Sequence, residues 1–330
     1  MKRFDWSRRE VLKLIGASTG TVLLDNLHLP LTFGEEVFPA GRINWICYVK
    51  AGGGFDLIAR SVAPFLGKYL NAEVLVKNVP QAGGNRAFWD IFHAKPDGYT
   101  IGDFNTAFVT ENIGTTPEFD CGKYTYLVRT GVLARVIAVN KRAKFKSWEE
   151  MLKAGKEREL KLAVGNFARG AHITAILLKE IAKLPARFIN FPGAVDNANA
   201  LLRGDVDMAM LNETSAKTMV DAGEFQILTV LSETSRFPGV PSIAELGYPE
   251  LADFLKVHYL VVGPPNIPNE ITRVLTSALR KVFSDNGFIE VAKKINFEPD
   301  PLYGIDAERL ANKIFKYYEE KTPILKKYLT

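Results

Sequence analysis

Hydrophobic positions between residues 43 and 231 switch repeatedly between a run of strand length and a recurrence of helical spacing. Residues 43–49 form a nearly unbroken apolar run, which predicts a strand. Leu57, Ile58, Val62, Phe65 and Leu66 then mark a helix over 57–69, and Pro64 within it predicts a kink or a late start. A second strand is read over 73–77. Phe88, Ile91 and Phe92 place a helix over 86–94, and a third strand over 99–104 follows the turn-forming Lys95-Pro96-Asp97-Gly98. The order β-α-β-α-β predicts right-handed crossovers and a parallel sheet.

A second unit follows an extended stretch over 124–140. Helices are read over 148–156, 172–184, 194–203 and 213–222, and strands over 160–164, 186–191, 206–211 and 226–231. Gly204 closes one helix and Gly223 another. Three mostly helical segments, 269–285, 287–294 and 306–328, end the chain. The two units look alike, which predicts two similar α/β lobes facing one another.

Two strand-to-helix turns stand out, Ala51-Gly52-Gly53-Gly54-Phe55-Asp56 and Ala82-Gly83-Gly84-Asn85. Turns with so little side chain present backbone N–H groups and a positive helix end, which suits a carboxylate or phosphate. In an open α/β sheet they lie at the carboxyl ends of their strands, where ligands bind. Asp56 is read as a cap of the first helix, as a ligand contact, or as both. In the second unit, Gly165 to Gly170 opens a helix and offers Asn166, Phe167, Ala168 and the guanidinium of Arg169, whose planar fork matches a carboxylate. Arg86 has the same two readings as Arg169, a ligand contact or a solvated side chain. His172 is read as a packed or capping histidine or as a contact.

Catalytic patterns are missing. Leu57 stands where a dinucleotide fingerprint needs glycine, no GxxxxGK[ST] occurs, and His28, His93, His172 and His258 lie in no metal or triad spacing. Hydrophobic residues make up 47% and charged residues 24%, a globular composition, and the net charge of +5 suits a small anion without the basic blocks that nucleic acid requires. Cys47 and Cys121 are the two cysteines; their pairing is left open. Ser7-Arg8-Arg9-Glu10-Val11-Leu12-Lys13, followed by a short, weakly apolar run, resembles a twin-arginine export signal, with residues 1–40 removed.

Taken together, these segments resemble the periplasmic solute-binding proteins of the tripartite tricarboxylate transporter family, the Bug receptors. The likeness runs from about residue 43 to 320. It rests on Ala51 to Arg60, Val76-Lys77-Asn78, Gln81 to Asn85, Lys95 to Thr100, Phe191-Pro192-Gly193-Ala194, Gly204-Asp205-Val206-Asp207 and Pro241 to Pro249. The resemblance implies an α/β, two-lobed periplasmic-binding-protein (flytrap) fold, type II-like. Residues 41–130 would form the first part of lobe 1, 131–262 lobe 2, and 263–330 a return to lobe 1. A ligand carboxylate would sit at Gly52, Gly53, Gly54, Phe55, Asp56, Gly83, Gly84, Asn85 and Asn105, partly through waters. The loop of Asn166, Phe167, Ala168, Arg169 and Gly170, with His172, would close on the other end, and Ala194 and Asp196 would border the cleft.

The chain departs from the family in having Lys50-Ala51 in place of prolines, Gln81 in place of a common glycine, and Asn166-Phe167-Ala168-Arg169 in place of a Gly/Ser-rich turn. The function implied is periplasmic capture of a small organic acid for the membrane permease subunits of a tripartite tricarboxylate-type transporter. The receptor would act as a monomer, without cofactor, metal, catalysis or nucleic acid. A sensing module with the same fold, or an enzyme on a similar frame, are the alternatives.

Overall fold

The structure, a computed structural model, describes residues 38–106, 119–165, 167–168 and 170–329. Two mixed sheets organise them. In the first, β1 (Ile43–Cys47) lies between β2 (Val74–Asn78) and β3 (Thr100–Asn105) and runs parallel to both. The crossovers are α1 (Gly54–Leu70) and α2 (Asn85–Phe92). The sheet then reverses sense: β10 (Val257–Gly263) is antiparallel to β3, β4 (Thr125–Leu133) to β10, and the two-residue β11 (Leu302–Tyr303) to β4. The order is β11-β4-β10-β3-β1-β2. In the second sheet β6 (Leu160–Val164) is parallel to β7 (Ala186–Asn190) and β8 (Met208–Asn212). There β5 (Arg135–Asn140) runs antiparallel to β8 and to β9 (Phe225–Val230).

Helix α1 shows how pattern becomes packing. Phe55, Ile58, Ala59, Val62 and Leu66 form its buried stripe against the first sheet, where Ile43, Trp45 and Ile101 are fully buried. Each such large side chain contributes roughly 2–3 kcal/mol of transfer free energy. Pro64 sits on the exposed face, where water can hydrate the carbonyl its ring leaves unpaired, so the helix runs through it. The second lobe has its own core, from Trp148 and Met151 on α3 (Trp148–Glu157) through Ile173, Ile176 and Leu177 on α4 (Gly170–Ile181). Its other face is covered by α5 (Ala194–Arg203) and α6 (Glu213–Asp221).

Three details of the sequence reading are sharpened. The extended stretch over 124–140 is two strands in different sheets, β4 and β5, with Ala134 alone between them. The chain therefore crosses at Ala134 rather than at 130/131. It recrosses before Val257, because β10 belongs to the first sheet and not to the second lobe. The last helix, α9 (Ile305–Leu329), does not return only to lobe 1. It follows α7 (Asn269–Phe283) and α8 (Asn286–Lys294), and Ile314, Tyr318 and Leu325 then pack into the second-lobe core. Tyr318 Oη donates to Phe254 O at 2.8 Å, and Tyr328 Oη to Glu180. Cys47 and Cys121 are buried, unpaired, and in separate clusters.

Candidate functional site

The carboxyl ends of β1, β2 and β3 lie side by side, with Cys47 level with Asn78. The turn after β1 leads to α1 and the 3-10 turn Gln81–Gly84 leads to α2. Gly53 and Gly84 occupy the N-cap positions of these helices, and neither first turn receives a side-chain cap. Ser147 and Asp285, by contrast, cap α3 and α8 with their side chains. Asn85 N donates to Ala82 O in the 3-10 turn, and the remaining N–H groups of these two adjacent helix ends, without side-chain caps, form a positive, side-chain-poor surface.

The glycines are not interchangeable. Gly52 has φ +82° and open space around it. Gly84 has φ +100°, and a Cβ there would lie 2.8 Å from Tyr48 Cδ2. Tyr48 is the platform of this half-site. It packs against Phe55 and Phe88 at ring separations of 4.7 and 5.0 Å, and its hydroxyl accepts from Asn105 Nδ2 at 3.2 Å. Tyr259 of β10 packs 4.2 Å from the Phe55 ring. Phe55 is thus a buried spacer, not an open contact.

Asp56 is turned inward and only 2% exposed. Its carboxylate accepts from Gly52 N at 2.9 Å, Asn78 Nδ2 at 2.7 Å and Arg60 Nε at 2.9 Å. Burial pushes its pKa up, but those three donors outweigh burial and hold it below the ordinary value. Asp56 therefore does not cap α1 but fastens the glycine turn to the end of β2. Asn85 sits at the start of α2 with its Oδ1 buried and unpartnered among the described residues. Arg86 is committed to Asp90 at 2.7 Å and lies over Trp89, one turn along the exposed face of α2.

The second lobe repeats the arrangement. β6 and β7 are parallel, so the turn into α4 and the turn through Pro192-Gly193 into α5 are neighbours, and Asn190 Nδ2 donates to Gly165 O at 2.8 Å. Gly193 is the N-cap of α5 without a side-chain cap, and Ala194 and the exposed Asp196 begin the helix. Ala168 has φ +58°, a strained value for alanine, and its N–H donates to His172 Nδ1 at 3.0 Å. His172 is buried against Phe167 and Phe188, and burial lowers its pKa. A neutral imidazole with Nδ1 occupied by the loop backbone shapes the turn. Phe167, 54% exposed, stands at the rim. Asn166 and Arg169 lie outside the described residues.

The sequence model of the tripartite tricarboxylate transporter family receptors, TctC, matches residues 58–328. The chain belongs to this family. A UPF0065 protein of Bordetella pertussis is 28% identical to the receptor over 271 residues, 80% of this chain and 83% of the relative. Among solved structures, a TctC solute-binding protein from Polaromonas superposes with a TM-score of 0.75 at 23% identity, covering 88% of this chain and 99% of the other. An R. palustris protein, Rpa4515, solved with adipate, superposes at 0.73 and 20% identity, covering 87% and 98%. The fold is that of the two-lobed α/β solute-binding proteins.

In this receptor the structure brings Gly52, Gly53, Gly54, Gly83, Gly84, Asn85 and Asn105 to one edge of the first sheet. It brings Phe167, Ala168, Gly170, Ala194 and Asp196 to one edge of the second. Sequence reasoning missed the parts played at the turns by Tyr48, Asn78 and Tyr259. Asn78 ends a strand and Tyr48 follows one, and their partners lie 22 to 57 residues away, so no local pattern shows what they hold.

Proposed function

We propose that the receptor captures a small organic carboxylate in the periplasm and delivers it to the membrane permease of a tripartite tricarboxylate-type transporter, without catalysing a reaction. The observation that carries this reading is the pair of adjacent, glycine-capped helix ends at Gly53 and Gly84. They offer uncapped N–H donors, and Tyr48 beneath them supplies an apolar floor. Rpa4515 with adipate, on the same fold, supports a dicarboxylate as ligand. The second-lobe loop from Gly165 to Gly170, including Asn166 and Arg169, is proposed to close on the distal end of the ligand. Closure follows from differential affinity: an acid that touches both lobes shifts the open–closed balance by its extra binding to the closed form.

The experiment is a thermal-shift screen of organic acids on the purified protein. An acid present at about 100 times its dissociation constant adds roughly 2.7 kcal/mol. A screen of mono-, di- and tricarboxylates with no shift would overturn the reading. Delivery to the periplasm is proposed to use Arg8-Arg9. Arg8→Lys with Arg9→Lys is expected to abolish extracytoplasmic accumulation of the protein in its host, as measured by fractionation and immunoblot. Undiminished accumulation would remove the twin-arginine route.

A further inference from the structure

Two arginines are equally buried in this receptor, each 8% exposed, and they differ in one respect. Arg129 on β4 has its counter-ion: Nη2 lies 2.7 Å from Asp300 Oδ2, and Nε donates to Asp300 O at 3.0 Å. Arg135, at the start of β5, has no carboxylate partner among the described residues. Its Nη1 donates to Thr174 Oγ1 at 3.2 Å and to Leu255 O at 2.9 Å, both neutral acceptors. Nε and Nη2 donate to nothing among the described residues. A guanidinium stays protonated at any physiological pH even though burial lowers its pKa, so this charge is present and uncompensated. Burying a charge without a partner costs several kcal/mol, and proteins keep such a group where something else pairs with it.

Its position says what that partner is. Arg135 is separated from β4 by Ala134 alone, so it stands where the chain passes from the first sheet to the second. Leu255 lies just before β10, where the chain passes back, and Arg135 O accepts from Leu231 N at 2.8 Å at the end of β9. Thr174 is in the second turn of α4, the helix opened by the second-lobe loop. The phenols within electrostatic reach of the guanidinium are Tyr318, Tyr259 and Tyr48. Tyr259 Oη is 3.5 Å from where a side chain on Gly54 would begin, and Tyr48 lies directly under Gly84. The unpaired cation is therefore held between the first turns of α4 in lobe 2 and the two chain crossings, with Tyr259 and Tyr48 of the glycine half-site within electrostatic reach.

We propose that Arg135 is a ligand-binding residue of the cleft, pairing with a second carboxylate of the ligand while the glycine-capped helix ends hold the first, so that the receptor selects dianionic acids over monoanions. The proposal rests on the carboxylate reading of the cleft. It places the cation at the chain crossings between the lobes, so pairing there would favour the closed form as well as the dianion. Two N–H groups in a fixed fork are available, which suits a carboxylate in two-point contact.

The test is calorimetric titration of wild type, Arg135→Gln and Arg135→Lys with adipate and with its monomethyl ester, circular dichroism confirming that each variant is folded. Wild type is expected to prefer adipate, Arg135→Gln to lose about 10- to 150-fold for adipate and less than about threefold for the ester, and Arg135→Lys to recover part of the loss. A hinge brace with no ligand contact would affect both probes alike, so equal losses, or none, overturn the proposal. Sulfate at constant ionic strength separates this outcome from failure of the underlying reading. Should wild type bind neither acid nor any other in the screen, the carboxylate reading falls. A larger sulfate-induced rise in melting midpoint for wild type than for Arg135→Gln would still mark Arg135 as an anion site, and equal rises would remove that too.

Discussion

Gly84→Val is expected to weaken ligand binding by about 30-fold or more while leaving a folded protein. Two costs meet at this position. The backbone has φ +100°, a value that branched side chains avoid at roughly 1–3 kcal/mol. The new side chain would also begin 2.8 Å from Tyr48 Cδ2 and 3.3 Å from Tyr48 O, and relief of that overlap must move either the turn or the ring. Either movement displaces the first N–H groups of α2 from the apolar floor on which the carboxylate is proposed to rest, and 2 kcal/mol of lost binding is about 30-fold. Gly204→Val is the control. Gly204 also has positive φ, +79°, but nothing lies within 4 Å of its added Cβ, and it ends α5 away from the turns. It should lower the melting midpoint and leave affinity unchanged. Titration of both variants with an acid that binds wild type decides the matter; parallel losses of affinity would mean that the glycine turns are simple turns.

The second large effect concerns Asp103, beneath the same turns. It is buried on β3, where its Oδ1 accepts from Trp45 Nε1 at 2.9 Å and its Oδ2 has no hydrogen-bond partner among the described residues. Burial raises its pKa most. The neighbouring thiol of Cys47 and the Trp45 indole restrain the rise, the charge of Asp56 adds to it, and the group titrates at about 7. The folded value is above the unfolded one, so the protonated acid is the form the fold favours. That contribution is complete below the unfolded value near 4 and is lost as pH rises through about 7.

A displacement of this size corresponds to a few kcal/mol. Asp103→Asn keeps the acceptor for Trp45 and removes the titration. The variant should therefore gain stability over wild type by roughly that amount between pH 4 and pH 8. Denaturant melts across this range would show the two curves diverging as pH rises; curves that stay parallel would exclude Asp103 as the source.

Much of the frame was legible because it is local. The helices carry their apolar residues at helical spacing, and β6 and α5 fall where the pattern places them, at Leu160–Val164 and Ala194–Arg203. The glycine turns were legible for the same reason. What escaped depends on distant pairing. β10 is buried on every residue, so it shows no alternation to mark it as a strand or to give its antiparallel sense. Nothing at Ala134 breaks the run over 124–140, because the change of sheet there is made by partners from Asn212 to Val257. Asp56 and His172 are polar residues in the right places, and only their hydrogen bonds reveal that they build the turns. Arg135 looks like an ordinary polar strand end until its surroundings show a buried cation without an anion among the described residues.

The central claim is that this cleft recognises carboxylate charge. Its most direct test is titration of the purified receptor with adipate and with its uncharged isosteres adipamide and 1,6-hexanediol, read by calorimetry and by melting midpoint. Saturable one-to-one binding of the diacid, a midpoint that rises with its concentration, and no measurable binding of the neutral molecules are expected. Binding of adipamide or hexanediol as tight as that of adipate would contradict it.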